Sequence, residues 1–103
     1  MATHIFDIDG TLVHYHTGHW LEGAKENILN LFTSGHKIVL ITMRGVHDNG
    51  TLWSIENTKN TILKDLDELN IKYIILFGMD SPRIIHDDSP IYLDKRETNQ
   101  LWK

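Results

Sequence analysis

Apolar residues recur along this chain in two rhythms, and the rhythms alternate. Ile5, Phe6 and Ile8 form a short bulky run that breaks at Gly10, which predicts a buried strand over residues 3–8. From about Trp20 to Ser34 the apolar positions Leu21, Ala24, Ile28, Leu31 and Phe32 fall at helical spacing, and Gly35 stands where a helix C-cap belongs. "KIVLIT", residues 37–42, is a continuous apolar run, the pattern of a strand covered on both faces. Leu52, Ile55, Ile62, Leu66 and Leu69 mark a second helix over 51–69, and "YIILFG" (73–78) a further buried strand. "RIIHDD" (83–88) reads as a short strand running into acids, and "IYLD" (91–94) as a final edge strand. Residues 10–18 predict an irregular segment or small hairpin, and "MRGVHDNG" a loop.

Strand, helix, strand, helix, strand predicts a mainly parallel sheet with helices on its faces, a Rossmann-like α/β fold. Ligands of such sheets bind beyond the carboxyl ends of the strands. Those ends carry Asp7 and Asp9, then Thr42 and Arg44, then Gly78, then Asp87 and Asp88. Four crowded acids raise one another's pKa unless a positive group joins them, and a hard divalent cation such as Mg²⁺ suits an all-oxygen site with open water positions. Thr42, Arg44 and the backbone around Gly10, Thr11 and Met43 would suit a phosphoryl group beside the metal. An aspartate can also attack phosphorus itself.

These residues carry a resemblance. "DIDGTL" (7–12) is similar to the first motif of the haloacid dehalogenase (HAD) superfamily, D-x-D-G-T-[LV], complete over its length and at the end of an apolar strand. "IVLIT" (38–42) resembles the second motif and "IIHDD" (84–88) the fourth, so the likeness spans residues 4–88. The resemblance implies a three-layer α/β/α domain, with Asp7 as nucleophile and Asp9 as the acid and base that also offers its carbonyl to Mg²⁺. Thr42 would hydrogen-bond the phosphoryl group, and Asp7, Asp9, Asp87 and Asp88 would supply the metal site. At the third motif the chain departs: Met79 stands where a lysine is expected. Arg83, four residues on, is the first candidate to supply that charge, with Lys59, Lys64 and Arg44 behind it.

Composition narrows the picture without redirecting it. The 103 residues fit one domain, and the 41% hydrophobic and 23% charged fractions are ordinary for a globular protein. A formal net charge of −4 and scattered basic residues argue against general nucleic-acid binding. No apolar run approaches the ~20 residues that span a bilayer, no signal-peptide pattern opens the chain, and there is no cysteine. A cytoplasmic protein without a membrane partner is the expectation. Of the seven histidines, His14, His16 and His19 lack the pattern of a structural zinc site, and their segment reads better as a flap beside the site or a solvated hairpin. "DIDG" does not fit a calcium loop, because Ile5 and a strand precede it and Gly18 holds the twelfth position.

Residues 11–19 and 43–86 leave no room for a cap domain. The resemblance therefore implies a capless Mg²⁺-dependent phosphomonoesterase acting on a phosphorylated substrate, a sugar phosphate, nucleotide or phosphorylated macromolecule, and is compatible with a homo-oligomer that borrows a lid. The alternatives are a phosphotransferase with the same intermediate, and a non-catalytic domain that binds Mg²⁺ or a phosphorylated ligand.

Overall fold

A computed structural model describes residues 1–103 as a small α/β domain. Strand β1 (Thr3–Asp7) leads through helix α1 (Ala24–Thr33) to β2 (Lys37–Ile41). A long helical stretch follows, made of α2 (Trp53–Thr58), one π-helical turn (Lys59–Leu63) and α3 (Lys64–Glu68), before β3 (Ile74–Leu76). The strands are parallel in the order β1-β2-β3, in register at Ile5, Val39 and Ile74 and again at Asp7, Ile41 and Leu76.

Alternation decides which face of the sheet is covered. Phe6, Ile38 and Leu40 are buried and join one cluster with Ala24 and Ile28 of α1 and Ile62, Leu63 and Leu66 of the second helical stretch. Side chains one residue away point to the other face, where Ile5 and Ile74 are 52% and 61% exposed. Successive right-handed crossovers in one direction put both helical connections on the same face. The structure thus shows a small α/β fold in which the helical connections share the covered face of a three-stranded parallel sheet.

Two other expectations fail in the same region. Residues 83–88 and 91–94 form no strand and are mostly exposed. Pro82 and Pro90 bracket the first of these runs and can donate nothing to a ladder. The Ser89 N–H turns back to Asp87 Oδ1 at 2.9 Å, a local bond that competes with pairing.

Helix α1 starts later than its apolar spacing suggests. Leu21 N–H donates to Leu12 O and Trp20 bridges Val13, so these residues are held against the 12–13 segment instead of in the helix. Its C-terminus follows expectation: Gly35 has φ +92, and Gly35 and His36 N–H donate to Phe32 O and Leu31 O. This is a Schellman closure, which favours glycine at the left-handed position. The C-terminal tail returns to the first motif, where Asn99 N–H donates to Gly10 O and Trp102 Nε1 to Thr11 O.

Candidate active site

Asp7 is the last residue of β1, level with Ile41, so the sheet itself carries it to the carboxyl edge. The chain then turns at Gly10, where a φ of +78 and contacts of 3.0 Å from a Cβ to the Tyr15 ring and the Thr98 methyl both favour glycine. Asp7 Oδ1 accepts from Arg83 Nη1 at 3.3 Å and Oδ2 from Thr11 Oγ1 at 3.3 Å. Burial pushes the Asp7 carboxyl above its ordinary pKa, and the Arg83 charge and the Thr11 hydroxyl only partly offset it.

Arg83 reaches Asp7 from an unexpected support. Its Nε and Nη2 both donate to the carbonyl of Met79, at 3.2 and 2.8 Å. The residue that stands in place of the expected lysine thus anchors, through its backbone, the arginine that brings a positive charge to Asp7. Lys59 instead lies beside Glu56, largely exposed.

Asp9 is held differently. Arg44 Nε donates to its Oδ2 at 2.9 Å and Nη2 to its Oδ1 at 2.7 Å, and His16 N–H adds a bond to Oδ1 at 3.0 Å. Burial raises the Asp9 pKa, but the Arg44 hydrogen bonds and charge, with the His16 N–H, outweigh it, and the carboxyl lies below its ordinary value. Arg44 Nη1 donates to Thr58 Oγ1 at 3.0 Å and Nη2 to Thr17 O at 2.7 Å, so the guanidinium is committed within the chain. The Arg44 guanidinium therefore faces Asp9, Thr17 and Thr58, and a phosphate contact would require it to leave one of them.

Thr42 is fully buried, and its hydroxyl oxygen accepts from Arg44 N–H at 3.0 Å. The strand ends are laced together by Met79 N–H to Thr42 O (2.8 Å) and Gly78 N–H to Arg44 O (3.0 Å). Of the expected backbone donors, Gly10 N–H is spent on Val13 O and Thr11 N–H on Ile8 O, whereas Met43 N–H has no partner in the chain. Met43 therefore keeps its place in the candidate site, and the other two contribute through turn geometry and the Thr11 hydroxyl.

Asp87 and Asp88 do not join this group. Both are exposed and bond to Ser89. No three histidine or acidic side chains gather anywhere in a way that could hold a metal ion. With both Asp9 oxygens on Arg44 and one Asp7 oxygen on Arg83, the donors as placed do not fit Mg²⁺.

The 14–19 segment was expected beside the site, but not the His16 N–H as a donor to Asp9, and Thr17, through its carbonyl, and Thr58 were not expected at all. Backbone contacts of a loop leave no signal in side-chain pattern. Thr58 does leave one, a polar residue in helical register with Ile55 and Ile62 on a stripe that is otherwise apolar, and fully buried.

No protein-family model matches the chain, and no match is found among curated proteins or solved structures. No helix is long and apolar enough to cross a membrane.

Proposed function

We propose that the protein is a phosphomonoester hydrolase of HAD-like character, with Asp7 as nucleophile. The observation that carries this reading is the Arg83–Asp7 contact: a cation reaches Asp7 from four residues beyond Met79, which stands where the lysine is expected. Positive charge there can hold the Asp7 carboxylate toward a phosphorus and neutralise the oxygens of the transferring group. A pure binding module has no need of Asp9 as an acid.

The chemistry needs two displacements. An Asp7 oxygen forms a bond to phosphorus as the bond to the leaving oxygen breaks, and that oxygen takes the proton from Asp9. Water then attacks the phosphorus of the aspartyl-phosphate and gives its proton to Asp9, which restores Asp7 and releases inorganic phosphate. Asp9, kept on the ionised side by Arg44, is set to take the proton in this second step, and when it enters the first step ionised the leaving oxygen draws its proton from solvent water. The Met43 N–H, which has no partner in the chain, is the group best placed to orient a phosphoryl oxygen.

No step above runs through a metal. The Mg²⁺ requirement comes from the resemblance alone and would need Asp87 or Asp88 to be drawn to Asp7. The second helical layer of the HAD domain, likewise, rests on the resemblance.

The test is hydrolysis of phenyl phosphate by the wild type with Mg²⁺, with EDTA and by Asp7→Asn. Turnover lost in the variant supports the reading. Equal turnover in Asp7→Asn would sink it. Loss on chelation supports recruitment of the 83–88 segment by a cation, and full activity in EDTA removes the cation from the proposal.

A further inference from the structure

We infer that Arg44 is a positioning residue that locks the Asp9 carboxylate and the 14–19 segment into one unit; this rests on the phosphatase reading for the role of Asp9. A guanidinium has five N–H donors in a rigid fork. Here Nε and Nη2 straddle the two Asp9 oxygens, Nη2 also reaches Thr17 O, and Nη1 serves Thr58 Oγ1, with Asn57 Oδ1 at 3.5 Å. The Arg44 side chain is only 7% exposed and the Asp9 side chain 14%. No direction of the fork is left for an incoming phosphate.

What makes this a positioning device is where the fork is rooted. Arg44 N–H is bonded to the Thr42 hydroxyl and Arg44 O receives Gly78 N–H, so its backbone is pinned to the ends of β2 and β3. Thr58, which supports Nη1, is itself fixed by its hydroxyl bond to Ser54 O at 2.7 Å. The sheet edge and α2 therefore both bear on Asp9 through one side chain. The 14–19 segment hangs on the same two residues: His16 N–H binds Asp9 Oδ1 and Thr17 O binds Arg44. Gly18 packs so tightly on Thr61 that a Cβ there would lie 2.6 Å from its side chain, which seats the segment on the π-helical turn. Planar bidentate contact fixes the orientation of a carboxylate in a way a lysine ammonium cannot.

The experiment compares wild type, Arg44→Lys and Thr58→Val. The readouts are phenyl phosphate kcat and KM, direct binding of inorganic phosphate by titration, and amide hydrogen exchange across residues 14–19. For Arg44→Lys we expect kcat to fall about tenfold or more, because loss of fixed geometry falls on the reacting complex. KM and phosphate affinity should stay within about twofold, and residues 14–19 should exchange faster. Thr58→Val, which keeps Arg44 and its charge, should shift kcat and exchange in the same direction by less, and it carries the test if Arg44→Lys does not fold. Phosphate binding weakened about tenfold with kcat retained would make Arg44 a phosphate ligand and overturn the inference. Unchanged exchange of 14–19 in both variants would overturn it as well. If the wild type shows no turnover, the phosphatase reading fails on its own, and the exchange and phosphate titration still decide whether Arg44 is a latch or a ligand.

Discussion

Asp7 and Asp9 sit one residue apart, yet their surroundings drive them in opposite directions. Burial dominates at Asp7 and raises its pKa, whereas the Arg44 fork prevails at Asp9 and lowers it. A nucleophilic carboxylate must be ionised, so activity should be lost on acidification at a higher pH than for an ordinary aspartate. Arg83 holds the Asp7 pKa down, so Arg83→Ala should move that acid limb of kcat/KM to higher pH and reduce the rate; an unmoved limb would separate Arg83 from the nucleophile. Stability carries the opposite sign. A folded-state pKa above the unfolded value makes the Asp7 contribution favourable at low pH and lost as pH rises through the folded pKa. Asp7→Asn is therefore expected to be inactive but no less stable than wild type at pH 7 by denaturant melts, with any advantage disappearing below about pH 4. A clear loss of stability at pH 7 would mean that the Arg83 pair outweighs burial. Tyr73, pushed up to about 12 by burial and by its hydrogen bond to Asp67, offers an independent check. A phenolate titration followed by absorbance should show a component near 12 that vanishes in Tyr73→Phe.

At the scale of elements, the strand ends were legible because each strand is a dense apolar run that stops at a polar residue or glycine. Asp7, Thr42 and Gly78 lie where those ends predicted. The helices were legible as stripes, and α2 begins after Leu52 at φ +60, within two residues of the expected 51, but α1 begins only after Gly23, a left-handed residue at φ +84. Such starts depend on long-range partners. The buried Asp48 carboxylate accepts from Ser54 N–H and Oγ and closes the loop onto α2, a contact between residues six apart that no periodicity reveals. Gly23 is fixed by the tail, since a Cβ there would strike the Trp102 carbonyl. Gly50, at φ +78, has nothing within 4 Å of that position. Both Gly→Ala changes incur backbone strain of about 1 kcal/mol, but Gly23→Ala should cost clearly more. Equal costs by denaturant melts would show that the tail does not bear on the start of α1.

Over the whole molecule, the covered and bare faces of the sheet set where mutations matter. Leu40 is fully buried between the helices, so Leu40→Ala should destabilise by about 2–5 kcal/mol. Ile74, 61% exposed on the opposite face, should tolerate threonine within about 0.5 kcal/mol. A large cost at Ile74 would mean that this face is covered in solution. The run that carries the acids at 87 and 88 is likewise decided by the rest of the molecule. "IIHDD" has the composition of a strand entering an active site, but a short apolar run becomes a strand only with an edge to pair against, and here the prolines and the Asx turn at Ser89 keep it apart. The site that does form is made by β1, the loops after β2 and β3, and two arginines whose partners lie far away in the chain.

The central claim, that Asp7 attacks phosphorus, is tested most directly by trapping the covalent species. Wild-type protein would be mixed with phenyl phosphate, quenched in acid within the first turnover and mapped by peptide mass. We predict a phosphate mass increment on the peptide that contains Asp7, absent from Asp7→Asn and discharged when the quench is delayed. Turnover in the wild type with no phosphorylated peptide at any quench time, or the increment on a peptide without Asp7, would contradict the account.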